Sequence, residues 1–192
     1  MMTQSKILVF AGSTREGSLN RKLARLAAGM LQQRGLDVTL LDLRDYPMPL
    51  YDGDLEVTHG LPEYAKAFKE ALRAHDAFVI ASPEYNGSFS GMLKNAIDWA
   101  SRAEPGERPT QVFRDKTAAL LATSPGPGGG KRGLRHLREL LTMIGVNVVP
   151  QEFSLAKGAD AISADGTLIK AEDSARFEAV LTGLTNAKLA AV

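Results

Sequence analysis

The chain of 192 residues contains no cysteine. That one absence removes disulfides, thiolate metal sites and cysteine nucleophiles together. Charge of one sign is also missing: 23 Lys and Arg stand against 22 Asp and Glu, for a formal net charge of +1. A general nucleic-acid binder would carry a marked basic excess, so no nucleic-acid partner is expected. No apolar run reaches the roughly 18 residues that span a membrane. The start, MMTQSKILVFAGS, is too short and strand-like for a secretory signal. A cytoplasmic location is therefore expected. The three histidines, His59, His75 and His136, are scattered, and neither a metal site nor a catalytic triad is expected from them.

What is present is alternation. KILVFAG (6–12), DVTLLDL (37–43), DAFVIAS (76–82), KTAALLATS (116–124) and VNVVP (146–150) read as strands, most of them apolar enough to be buried on both faces. Between them lie amphipathic stretches: 18–35 with Gly35 at its C-cap, 62–74 with Leu61, Tyr64, Ala65, Phe68, Ala71 and Leu72 on one face, 91–102 behind Ser90 as N-cap, and 134–145. Residues 172–189 close the chain with Phe177, Val180, Leu181 and Leu184 at helical spacing. Residues 44–62 and 103–111 lack a period and read as loops. The pattern predicts one α/β domain over 1–192, a parallel sheet covered on both faces. The simplest order at this size is the flavodoxin-like 2-1-3-4-5, which puts a ligand beyond the C-terminal ends of strands 1 and 3, where the order reverses.

The loops after strands 1, 3 and 4 then become the candidate site. GSTREGSLN (12–20) combines a turn glycine, short donors at Ser13, Thr14, Ser18 and Asn20, and the guanidinium of Arg15, and it enters a helix N-terminus. Such a loop suits a phosphate; it could also be an ordinary capped turn with Ser18 as N-cap and Arg15 in solvent. A Walker A loop would need a Lys that this segment lacks. SPEYNGSFSGMLKNAIDW (82–99) carries Tyr85 at its crest, with Pro83 and Gly87 shaping the turn and backbone N–H groups at Asn86, Gly87 and Ser88. A flat heteroaromatic ring would be held there, although Tyr85 could instead pack beneath the loop. SPGPGGGKRG (124–133) matches G-x-G-x-x-G at Gly128, Gly130 and Gly133. It follows the fourth strand and not the first, so it is no dinucleotide fingerprint. It reads as a wall without side chains, or as a flexible lid. A phosphate at the first loop and a flat ring at the other two describe a mononucleotide on a long tether, which FMN fits.

GSTREGSLNRKLA resembles the phosphate loop of the NADPH-dependent FMN reductase family of flavodoxin-like quinone, azo and chromate reductases, and SPEYNGSFSGMLKNAIDWASR resembles that family's flavin-ring loop and following helix. The resemblance spans most of 6–150. It implies phosphate and ribityl-side contacts at Ser13, Arg15, Ser18, Leu19 and Asn20, and isoalloxazine contacts at Pro83, Glu84, Tyr85, Asn86 and Gly87. Ser124 and Gly126 fall in the third loop. It also implies bound FMN, NADPH or NADH as hydride donor, small-molecule acceptors, and a homodimer or homotetramer built on the helices after the second and third loops. Trp99 would lie at that interface or in the core. The chemistry would occur at flavin N5 in a ping-pong sequence, with no catalytic side chain. The rival expectation is a flavodoxin-type electron carrier; such carriers are usually strongly acidic and lack an arginine in the phosphate loop.

Overall fold

The structure is a computed structural model and describes residues 5–189. Five parallel strands form the central sheet in the order β2-β1-β3-β6-β7: β1 Lys6–Ala11, β2 Asp37–Leu41, β3 Ala77–Ala81, β6 Thr117–Thr123 and β7 Asn147–Leu155. Counted as sheet strands alone, this is the expected 2-1-3-4-5, with the reversal between β1 and β3. The pleat of β1 shows why the order needs two covering layers. Leu8 and Phe10 face one side with α3 (Glu63–Arg73), α4 (Gly91–Ala100) and α5 (Lys131–Met143). Ile7, Val9 and Ala11 face the other with α1 (Leu19–Gln33) and α7 (Ala171–Leu189). Alternate residues of a strand point to opposite faces, so a strand that is apolar throughout must be covered twice.

The helix ends follow local chemistry. α1 closes in a Schellman arrangement: the N–H of Gly35 donates to the carbonyl of Gln32 at 2.8 Å and that of Leu36 to Leu31 at 3.3 Å. Gly35 sits at φ +78°, which a side chain would disfavour. Phe177, Val180, Leu181 and Leu184 of α7 are all buried, as the spacing predicts.

Three expectations change, and the alternative left open for Trp99 is settled. Residues 44–62 are not all loop: a 3-10 turn covers Leu43–Asp45, and α2 runs Gly53–His59, capped by Asp52, whose carboxylate accepts from the Asp54 N–H at 2.9 Å. No residue of α2 is buried, so it carries no apolar period to read. β7 continues past Pro150 to Leu155 because it is an edge strand, where a missing N–H is tolerated, and the register with β6 slips between Ala118 and Leu120. Tyr64 is 46% exposed and not part of the core face of α3, whereas Lys69 is buried at 2% exposed. Lys69 donates to the carbonyl of Arg102 at 2.7 Å and pairs with Glu104 and Glu107, pinning the loop after α4. Trp99 is fully buried within the chain, donates to the carbonyl of Pro49 at 2.8 Å and meets the Tyr51 ring at 5.0 Å. It is a core residue.

Candidate functional site: three loops latched at the strand ends

Loop 1 follows β1 and enters α1. Gly12 is packed so closely that a Cβ there would stand 2.9 Å from Leu93 Cδ2. Ser13 and Ser18 are buried, and Arg15 is exposed with no partner for its guanidinium among the described residues. Ser18 is the N-cap of α1, its hydroxyl accepting from the Arg21 N–H at 3.4 Å. That bond uses the oxygen and leaves the hydroxyl proton to donate. The first turn of α1, Leu19-Asn20-Arg21-Lys22, holds no acidic residue. Its N-terminal dipole is therefore uncompensated by a carboxylate and favours an anion. Arg21 itself is committed to an ion pair with Asp42. Burial pushes the Asp42 carboxyl up, but hydrogen bonds from Arg44 and the charges of Arg21 and Arg44 outweigh it and hold the group below the usual carboxylate range.

Loop 2 is a small β-hairpin that the sequence reading takes only as a turn. β4 (Glu84–Tyr85) pairs antiparallel with β5 (Ser88–Phe89) around Asn86-Gly87. Asn86 at φ +52° and Gly87 at φ +81° make the two-residue connection with both central residues left-handed. The hairpin lifts Tyr85 into solvent at 53% exposure, so it is not packed beneath the loop. Pro83 is buried at the base.

Loop 3 separates into two kinds of glycine. A Cβ on Gly129 would stand 2.5 Å from Ser154 Oγ, on Gly130 2.6 Å from Ala122 Cβ, and on Gly133 3.3 Å from Glu84 Cβ. These three serve close packing of the chain on itself. Gly126 and Gly128 face open space; only they form the expected bare wall. Ser124 donates to the carbonyl of Gly126 at 3.2 Å, which shapes the start of the loop.

One side chain latches each pair of loops. Ser90 joins loops 1 and 2: its hydroxyl donates to the carbonyl of Gly12 at 2.5 Å and accepts from the Leu93 N–H at 3.2 Å, capping α4 as expected. Glu84 joins loops 2 and 3: its carboxylate accepts from the N–H groups of Arg132 at 2.9 Å and Gly133 at 3.0 Å, capping α5 from outside the helix. Asn20 joins loops 1 and 3: its amide donates to the carbonyl of Thr123 at 2.9 Å and its oxygen accepts from the Thr123 N–H at 2.9 Å. Glu84 and Asn20 thus carry a structural task that the sequence does not show. Glu84 turns its carboxylate to α5, and Asn20 leaves at most one N–H for a ligand. Glu84→Ala is expected to lower the stability of the protein by about 1–2 kcal/mol, as loss of a cap does. Denaturant unfolding of Glu84→Ala beside Glu84→Gln, which keeps an acceptor, measures it.

A larger recess of about 630 Å3 lies on the outer side of α1 and α7, away from all three loops, so size alone would misplace the site. Among the described residues no group of His, Asp and Glu could hold a metal ion, and no helix is long and apolar enough to cross a membrane.

Five parallel strands in this order, covered by helices on both faces, with the three latched loops at the switch point, define a protein of the flavodoxin-like fold. The family described as NADPH-dependent FMN reductase matches residues 5–160. The chain belongs to that family and is an oxidoreductase. It is 38% identical over 177 residues to an NAD(P)H-dependent FMN reductase of Pseudomonas aeruginosa, covering 92% of this chain and 90% of that protein. It is 36% identical over 184 residues to an NAD(P)H:quinone oxidoreductase of Solanum tuberosum, covering 93% and 90%. Among solved structures, the flavoenzyme NAD(P)H:(acceptor) oxidoreductase FerB of Paracoccus denitrificans superposes with a TM-score of 0.77 at 28% identity, covering 95% of this chain and 96% of that one.

Proposed function

We propose that the three latched loops hold FMN and that this protein, acting as a single domain, passes reducing equivalents from NAD(P)H to quinones or chemically similar acceptors such as flavins, azo and nitro compounds or chromate. The observation that carries this reading is the uncompensated N-terminus of α1 beside the exposed guanidinium of Arg15, in the loop after β1 at the switch point, with Tyr85 exposed on the hairpin after β3. These residues fit the group. Arg15, Ser13, Ser18 and the first N–H groups of α1 at Leu19 and Asn20 are donors for a terminal phosphate. The hairpin of Tyr85, Asn86 and Gly87 offers a flat face and main-chain donors for a ring, and Gly126 leaves room for one.

Bound FMN would supply the redox chemistry, hydride acceptance and onward electron transfer, that no side chain of this protein provides. The chain's part is to orient and to exclude. Arg15 fixes the phosphate end, the latches by Ser90, Glu84 and Asn20 hold the loops in register, and the strand ends of β1, β3 and β6 wall off one side. A donor and an acceptor then share the remaining open side, and each must leave before the other enters. Initial rates against NADPH at several fixed quinone concentrations are expected to give parallel double-reciprocal lines, with the acceptor competing against NADPH at high concentration. Intersecting lines would refute the shared space. Anaerobic mixing with NADPH is expected to bleach the flavin absorbance; a flavin that never bleaches would favour the electron-carrier reading instead. Against that carrier stand the balanced charge and Arg15.

Exposed Met92 on α4 and Met143 on α5 leave apolar surface on the two helices that follow loops 2 and 3, which supports assembly as a homodimer or homotetramer. Reduced nicotinamide as donor supports a cytoplasmic setting.

A further inference from the structure

Beyond β7, a groove of about 480 Å3 runs outward from loop 3 between the end of the strand, α6 (Gly158–Ala161) and the start of α7. Its charged lining is Lys131, Lys157, Lys170, Arg176, Asp160 and Asp173. Arg176 is already held: it pairs with Asp173 at 3.0 Å, donates to the carbonyl of Ser154 at 3.1 Å and lies over the Phe153 ring. That leaves three ammonium groups, none with a protein acceptor among the described residues, against the one carboxylate of Asp160. The larger recess outside α1 is different in kind, since its Lys22 and Arg25 face Asp165 and Glu178 and its lining is balanced.

The groove is built into the site's own rim. The N–H of Lys157 donates to the carbonyl of Gly126 at 3.0 Å, and that of Gly158 to Ser124 at 2.9 Å. Lys157 sits at φ +49°, a conformation an L-residue adopts at a cost. Gly158 admits no side chain, because a Cβ there would collide with Thr123 Oγ1 at 2.0 Å. Between the loop and the groove, Gly126 and Gly128 face open space on either side of Pro127, which itself lines the groove. Exposed Ile169 at the groove gives an apolar surface beside the lysines.

Resting on the reading of NAD(P)H as donor, we propose that this groove receives the adenosine end of the dinucleotide, and that Lys131, Lys157 and Lys170 read the 2′-phosphate that distinguishes NADPH from NADH. A phosphate dianion needs several cationic donors and little else, and three mobile ammonium groups supply them as point charges.

The test is calorimetric titration of the purified FMN-loaded protein with 2′,5′-ADP and with 5′-AMP, for the wild type and for K131Q/K157Q/K170Q. The wild type is expected to prefer 2′,5′-ADP by about tenfold or more, the scale of charge-assisted hydrogen bonds, and the triple variant to bind the two alike. In turnover, kcat/KM for NADPH should fall to the NADH value while that for NADH stays unchanged. A wild type that does not discriminate, a triple variant that keeps the preference, or equally tight competition by inorganic phosphate would overturn the assignment. Normal NADH turnover with no 2′-phosphate preference would sink the groove alone. A protein that binds 2′,5′-ADP through these lysines but never bleaches its flavin with NADPH would sink the proposed hydride transfer from NAD(P)H to the flavin and keep the groove.

Discussion

Asn20→Ala should unfold at much lower denaturant concentration than the wild type and should bind FMN poorly even where it is folded. The reason lies in where the sheet runs out. The N–H of Ser82 takes the carbonyl of Leu121, the last bond across β3 and β6. Two residues further on, Thr123 points its N–H and C=O the same way, by the period of a strand, but β3 has ended at Ala81. The carboxamide of Asn20 fills that place as one more peptide group would, with both bonds at 2.9 Å. Asn20 is 4% exposed and Thr123 is 2% exposed. Truncation strands a buried donor and a buried acceptor, each costing about 1–3 kcal/mol. The sum, about 2–6 kcal/mol, is a large share of the 5–15 kcal/mol that holds a typical domain together, and it corresponds to a fall in Tm on the order of 10 °C. Circular dichroism melts of Asn20→Ala and Asn20→Asp measure it. Asn20→Asp keeps an acceptor for the Thr123 N–H but faces the Thr123 carbonyl with a second acceptor, so it should be no better. A melt unchanged in both variants would mean that the latch between loops 1 and 3 does not hold the site.

The strands that were legible were those whose burial wrote itself into composition. β1, β3 and β6 are apolar on both faces because helices cover both, and that continuous run is hard to mistake. α1 was legible from its period and from Gly35, which only a left-handed turn requires. The switch point followed from order alone. What stayed hidden has a physical cause in each case. The hairpin of loop 2 has two residues per arm, too few to show alternation, so Asn86-Gly87 read as a bend. α2 has no fully buried residue, and Leu55 packing in part against the core is too little to show an apolar period. Pro150 looked like a strand end because its tolerance depends on β7 being an edge, which is a tertiary fact.

The latches were illegible for a related reason. Asn20 and Thr123 are 103 residues apart, and Glu84 and Arg132 are 48 apart. No spacing rule joins them. Resemblance to a family named Glu84 and Asn20 as contacts of the flavin; their bonds in the fold add a second task, holding the loops together. The glycines of loop 3 carry the same lesson. All of them fit a bare wall by sequence, but Gly129, Gly130 and Gly133 are there because the chain packs on itself, and Gly126 and Gly128 alone are free to face something else.

Arg15→Ala should weaken FMN about 10- to 150-fold and leave riboflavin nearly unaffected, the span given by one hydrogen bond to a charged group at about 1.5–3 kcal/mol. Arg15 is exposed and its side chain makes no bond among the described residues, so its removal strands nothing there and the fold should melt as before. The backbone of loop 1 also stays in place, since the carbonyl of Arg15, and not its side chain, accepts from the Ser18 N–H at 3.1 Å. What is lost is a guanidinium beside a helix N-terminus that has no carboxylate of its own. Such a group acts on an anion and on little else. FMN carries that anion at the end of its ribityl chain, and riboflavin ends in a hydroxyl. Fluorescence quenching titrations of the apoprotein with both flavins separate the two effects. Arg15→Lys should recover part of the affinity, because a point charge keeps the attraction and loses the two-pronged geometry. Raising salt should erode the wild-type advantage for FMN more than that of the alanine variant, because the exposed cation is screened. Equal losses for FMN and riboflavin in a variant with an unchanged melt would show that Arg15 does not meet the phosphate, and would move the anion site off loop 1.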